Sequence, residues 1–153
     1  MKFICIGVGS IGKRHIRNLI SIGVSPSEIT AVDPREDRLQ EVTNIGVKAT
    51  YSSLEKALVS GSFDAGIICS PTNLHISQGI TLAQKGIHIL MEKPLADNLE
   101  DIDKFKDTIE KNNVVVLMAY IFRFSPLTLK VKELIKNQAV GKVLFVRGEF
   151  SEY

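Results

Sequence analysis

The hexapeptide Gly7-Val8-Gly9-Ser10-Ile11-Gly12 follows an apolar, strand-like run that begins at Lys2 and precedes a helical stretch over residues 13–22. A strand that enters a helix through three spaced glycines restricts the fold sharply. The first glycine permits a tight turn, the second lets backbone approach a pyrophosphate, and the third lets helix and strand pack closely. The helix amino-terminus then presents its N–H groups to the anion. A glycine-rich strand-to-helix turn alone would meet the same pattern, but Asp33 stands 21 residues after Gly12 at the end of a second strand. A carboxylate there can accept hydrogen bonds from adenosine ribose hydroxyls. Gly7, Gly9, Ser10, Ile11, Gly12 and Asp33 are therefore candidate dinucleotide contacts.

The rest of the chain continues the alternation. Apolar strand candidates fall at residues 2–8, 29–32, a weaker 47–50, 63–69, 87–91 and 114–119. They are nearly continuous rather than alternating, as strands buried on both faces are. Separated by amphipathic stretches, they predict βαβ units and an α/β, Rossmann-type doubly wound parallel sheet. Ser52-Ser53-Leu54-Glu55 reads as a capping box. Asn98 is expected to cap a later helix, with Glu100 and Asp101 in its first turn and Leu99, Ile102, Phe105 and Ile109 along one face.

Residues 123–153 differ from what precedes them. Phe124-Ser125-Pro126 opens a helix with Leu127, Val131, Leu134 and Ile135 on one face, and residues 142–150 read as a single strand. The organisation expected is a dinucleotide-binding domain over 1–122 and, over 123–153, the first helix and strand of a truncated α+β substrate domain. A lone strand carrying Val143, Leu144, Phe145 and Val146 exposes an apolar edge, so self-association into a homo-oligomer through this tail is also expected.

With 153 residues, 44% hydrophobic and 24% charged, the chain is long enough to bury a core without disulfides or metals. Lys and Arg number 13 against 14 Asp and Glu over residues 1–122, and six against three over 123–153, with no cationic block. Nucleic acid is not the partner such a distribution selects. No apolar run is long enough to span a membrane and the amino-terminus has no signal-peptide pattern, so a cytoplasmic protein is expected. Cys5 and Cys69 lie in apolar strand-like segments without metal-ligand spacing, which points to reduced thiols and no metal site.

Three further segments carry polar chemistry near predicted strand ends. Asp33 favours NAD over NADP, because its charge repels a 2′-phosphate. Arg35 could swing toward such a phosphate, although Pro34-Arg35-Glu36-Asp37-Arg38 also reads as a solvated helix start with local charge pairs. Ser70-Pro71-Thr72-Asn73-Leu74-His75 follows the strand at 63–69, where a doubly wound sheet borders its ligand crevice. Read alone, it fits an ordinary turn and helix cap, with His75 on the first helical turn, better than a cofactor contact. Glu92-Lys93-Pro94 puts an ammonium at another strand end, beside an X–Pro bond that can be cis, although alone it reads equally as a surface turn.

Taken together, these segments resemble the Gfo/Idh/MocA family of nicotinamide-dependent oxidoreductases. The resemblance covers the whole chain and rests on GVGSIG at 7–12, Asp33, SPTNLH at 70–75, GIHILMEKPLA at 86–96 and Tyr120-Ile121-Phe122-Arg123-Phe124-Ser125-Pro126. Ser70 stands where the family most often has threonine, which keeps the hydroxyl. The resemblance implies a dehydrogenase using NAD, with NADP possible, on a CH–OH group of a sugar, inositol or nucleotide-linked sugar. It implies that Lys93 is the catalytic residue, touching both nicotinamide and the reacting hydroxyl and suited to proton transfer or to orienting the alcohol. Arg38, Ser70, Pro71, Asn73, His75, Glu92, Lys93, Pro94 and Arg123 join the glycine loop and Asp33 as implied cofactor contacts. Arg123 reads equally as a packed interdomain arginine. The family's remaining acid–base residues would lie beyond Tyr153, so the chain by itself is expected to bind cofactor without turnover. The alternative is a non-catalytic dinucleotide-binding module. The stretch from Gly9 to Leu19 further looks like members that work in bacterial surface-sugar biosynthesis.

Overall fold

The computed structural model describes residues 1–149. Two compact units divide the chain, Met1–Ala119 and a second that starts at Tyr120. In the first, β1 (Phe3–Ile6), β2 (Ile29–Val32), β3 (Ala49–Tyr51), β4 (Ala65–Ile68), β5 (His88–Met91) and β6 (Val116–Met118) form one sheet of order β3-β2-β1-β4-β5-β6. Every neighbouring pair is parallel. Cys5 of β1 stands opposite Ala31 of β2 on one side and Ile67 of β4 on the other, which makes β1 the central strand.

Helices α1 (Ser10–Ser21), α2 (Glu36–Asn44), α3 (Leu54–Ser60), α4 (His75–Ala83) and α5 (Ile102–Lys111) connect these strands. Alternation along β1 explains how they divide between two faces, since successive side chains of a strand point to opposite sides. Cys5 joins one buried cluster with Ile16 and Leu19 of α1 and Leu39 and Val42 of α2. Its neighbours Ile4 and Ile6 join the other, with Leu54 and Ala57 of α3, Ile76 and Ile80 of α4 and Phe105 of α5. Both faces of the sheet are thus covered, the doubly wound α/β arrangement that the apolar strand runs imply.

Several local expectations shift. Helix α1 begins at Ser10 rather than near Lys13, because Gly9 already accepts its first helical bond, from the Lys13 N–H at 3.0 Å. Ser53, not Ser52, caps α3, accepting from the Lys56 N–H at 3.4 Å. The third helical position is therefore a lysine, and the reciprocal half of a capping box is missing. Asn98 does not cap α5. Its Oδ1 accepts the Glu100 N–H at 2.7 Å in the turn before the helix, and Asp101, with φ 58°, occupies the cap position. Leu99 is exposed, while Phe105 is buried and Ile102 and Ile109 pack beside it.

The second unit contains a short 3-10 turn, Ile121–Phe124, and α6 (Pro126–Lys136), on which Leu127, Val131, Leu134 and Ile135 are exposed. Residues 142–149 form no strand, contrary to the sequence expectation; Phe150, its last residue, lies outside the described residues. A strand exists only through hydrogen bonds to a neighbour. No described segment supplies that neighbour, so the β-branched composition alone does not produce one.

Candidate functional site

All six strands run the same way, so their carboxyl ends share one edge of the sheet. Chain connections leave β1 toward β2 on one side and reach β4 on the other. A crevice opens where such connections diverge. There the structure has a cavity of about 820 Å³, within the size range of small-molecule and cofactor sites. It is lined from the glycine loop, the end of β2, the start of α3, the Ser70-Pro71 turn and the exposed flank of α4.

The loop between β1 and α1 is built on close approaches. Gly7 has φ +81°, and a Cβ there would lie 2.6 Å from backbone atoms of Cys69 and Ser70. A Cβ on Gly12 would run into the Gly7 carbonyl oxygen. Gly9 is different. A Cβ there would meet nothing nearer than the Arg38 guanidinium at 3.7 Å, and Gly9 lines the cavity. Packing within the chain requires Gly7 and Gly12 to be glycine, whereas Gly9 leaves open a cradle that a ligand can fill. The N–H groups at the start of α1 have no partner within the helix and give that cradle its affinity for anions.

Asp33 sits at the opposite wall, 1% exposed. Its Oδ2 accepts the Val8 N–H at 2.9 Å and faces Arg38 Nη1 at 3.3 Å, and its Oδ1 accepts the Arg35 N–H at 3.0 Å. The carboxylate therefore ties the glycine loop to the end of β2. The Arg35 side chain turns to Asp37, donating from Nε at 3.0 Å and holding that carboxyl below its usual range.

Of the residues expected at the site, Gly7, Gly9, Ser10, Ile11, Asp33, Arg38, Ser70 and Pro71 line the cavity. Gly12 supports the loop from within α1. Asn73 is exposed in the 3-10 turn Thr72–Leu74. Glu92, Lys93 and Pro94 follow β5 at the same sheet edge, outside the cavity lining, with Lys93 exposed and the Lys93–Pro94 peptide cis. Arg123 belongs to the second unit, where it is exposed.

Two histidines hold this region. His75, 1% exposed, places Nδ1 2.9 Å from the Pro94 carbonyl and Nε2 2.9 Å from the Ser70 carbonyl. His15 of α1 donates from Nε2 to Glu92 Oε1 at 2.8 Å. The partnership of His15 was not visible in the sequence, and neither was the lining by Ser53, Leu54, Glu55 and Gln78. Gln78 accepts the Ser70 hydroxyl at 2.6 Å. The α3 residues follow β3, the weakest of the strand signals, and the rule that strand carboxyl ends border the crevice would have found them. Glu55's own N–H and the Ser53 hydroxyl hold its carboxyl below the ordinary value.

Cys5 and Cys69 are free, Cys5 buried and Cys69 half-buried. A hydrogen bond with Cys5, then burial, push the Cys69 thiol far above its ordinary value. Among the described residues no three His, Cys, Asp or Glu side chains gather to hold a metal, and no helix is long and apolar enough to cross a membrane.

A parallel sheet of this order, with a glycine-lined cavity at its divergence point and an acid closing β2, defines a dinucleotide-binding Rossmann domain. Residues 1–120 match the oxidoreductase family described by its NAD-binding Rossmann fold, and the chain belongs to this Gfo/Idh/MocA family, whose cofactor is NAD, with NADP also found among its members. It is 34% identical over 144 residues to myo-inositol 2-dehydrogenase of Thermotoga maritima, covering 93% of this chain and 42% of that protein. Identity to D-xylose 1-dehydrogenase (NADP(+)) 2 of Haloferax volcanii is 31%, covering 99% of this chain and 46% of that one. The WlbA dehydrogenase of Bordetella pertussis, solved with NADH and UDP-GlcNAcA, superposes with a TM-score of 0.81 at 27% identity, over 92% of this chain and 43% of that chain. The chain thus spans less than half the length of these relatives.

Proposed function

We propose that this chain is the cofactor-binding portion of a dehydrogenase that oxidises or reduces a CH–OH carbon of a sugar, inositol or nucleotide-linked sugar in the cytosol. The observation that carries the reading is Gly9, where the cavity wall is open to a ligand although nothing in the chain's own packing demands a glycine. Bound NAD supplies the hydride acceptor. The chain's residues do the rest. The amino-terminus of α1 takes the pyrophosphate, Asp33 faces the adenosine ribose, and the Ser70-Pro71 turn closes the wall toward the nicotinamide. Lys93, at the carboxyl end of β5, orients the reacting hydroxyl and holds or passes its proton. Residues 1–122 form the nucleotide-binding domain and 123–153 the opening of a substrate domain. Alone, the chain binds cofactor without turnover.

Asp33 favours NAD over NADP, since a 2′-phosphate would meet a buried carboxylate, and Arg38 only partly offsets that charge. Calorimetric titration of the folded chain with NADH and NADPH tests the reading. Tighter NADH binding that weakens on Asp33→Ala supports it; a folded chain that binds neither overturns it. Self-association through the apolar residues Val143, Leu144, Phe145 and Val146 belongs to the same proposal. Removing residues 138–153 should shift sedimentation toward monomer, and an unchanged mass would place the contact elsewhere.

A further inference from the structure

Glu92-Lys93-Pro94 is gripped from two helices on opposite faces of the sheet. His15, on α1, holds the Glu92 side chain at 2.8 Å, and the pair is only 15% and 13% exposed. The second oxygen of Glu92 accepts the Lys93 N–H at 3.2 Å. His75, at the first position of α4, holds the Pro94 carbonyl with one ring nitrogen and the Ser70 carbonyl with the other. Both of those partners are acceptors, so the ring nitrogen that carries the hydrogen donates to the carbonyl it faces. The residues on either side of Lys93 are therefore anchored, while the Lys93 side chain is free to project from the sheet edge.

We propose that His15 and His75 are a pair of positioning residues that fix the backbone on both sides of Lys93 and so place its ammonium at the mouth of the crevice. This inference rests on the reading above that Lys93 meets the reacting hydroxyl. A general acid or base is effective only within hydrogen-bond reach of the proton it handles. An exposed lysine on an unrestrained turn would sample many positions, so the bracing belongs to the backbone and not to the side chain. His15 acts through Glu92 and His75 through Pro94. The Ser70 contact of His75 adds the register between the cofactor-side turn and the Lys93 segment.

The test is amide hydrogen exchange at single residues in the full chain, by NMR. His15→Ala and His75→Ala should each speed exchange at Lys93 about fivefold, the scale of one lost hydrogen bond, and leave Gly7 and Val8 unchanged. His15→Gln keeps a donor near the position of Nε2 and should restore slow exchange. His75→Asn keeps a donor near Nδ1 and should also restore it, whereas His75→Gln keeps only the Ser70 contact and should not. Unchanged Lys93 exchange in both alanine variants overturns the proposal, as does equal rescue by Asn and Gln at position 75. If His75→Ala fails to fold, His15→Ala and the Asn–Gln comparison decide. NADH titration of the wild-type chain judges the cofactor reading separately, because the exchange experiment needs no cofactor.

Discussion

Asp33 Oδ2 receives the Val8 N–H at 2.9 Å, a bond between residues 25 positions apart that fastens the glycine loop to the end of β2. Val8 and Asp33 are both buried, so the loop's shape and the acid at the end of β2 are one unit. Replacing Asp33 with alanine strands the Val8 N–H away from water, which costs about 1–3 kcal/mol. Asp33→Ala should therefore lower both urea stability and NADH affinity. An affinity loss with no change in the unfolding midpoint would show that the Val8 bond contributes nothing to the fold.

Gly9 and Gly12 should separate binding from folding. In Gly9→Ala the new methyl meets only the Arg38 guanidinium, at an ordinary contact distance of 3.7 Å, so thermal unfolding should stay within a few degrees of wild type while NADH affinity falls at least about tenfold, or ~1.4 kcal/mol. In Gly12→Ala the methyl meets the Gly7 carbonyl, and the loss of stability should reach about 4 kcal/mol or prevent folding. Calorimetric titration and circular dichroism of the two variants check both statements. Equal behaviour would mean that Gly9 is not a ligand contact.

Arg38 offsets part of the Asp33 charge at 3.3 Å. Removing it as Arg38→Ala should weaken NADPH more than NADH, because the 2′-phosphate then meets an uncompensated carboxylate. The measured quantity is the ratio of the two dissociation constants. A ratio that moves the other way would show that Arg38 acts on a part common to both cofactors.

Cys69 should be unreactive. Its thiol is held protonated by Cys5 and by burial, and only the thiolate attacks an alkylating agent. Raising the pH from 7 to 9, across the ordinary thiol range of about 8.5, should leave iodoacetamide labelling of the folded chain slow, while both cysteines label readily in denaturant. Rapid labelling at pH 9 without unfolding would contradict the protection of Cys69 by Cys5 and its surroundings.

The sheet was legible because its strands are apolar runs buried on both faces, and the register of Ile4, Cys5 and Ile6 follows from strand alternation. The glycine loop was legible because the dihedral of Gly7 and the close approach at Gly12 are demands on local sequence. Failures came where structure depends on distant partners. Residues 142–149 have the composition of a strand, but pairing decides a strand. His15 and Glu92 are 77 positions apart, and no spacing announces that α1 and the end of β5 will bring them together. Ser52 and Ser53 were indistinguishable by composition, and only the direction from which the chain enters α3 selects the second.

Because β1 lies between β2 and β4, the first strand made is also the seam of the finished sheet. The cavity draws its walls from residues 6 through 81, so a ribosome must release most of α4 before the last wall of the site is in place. Shortening the chain by its first six residues would remove the joint between two halves rather than trim an edge. β2 with β3 and β4 with β5 and β6 would be left as separate ribbons, with no shared floor for a ligand.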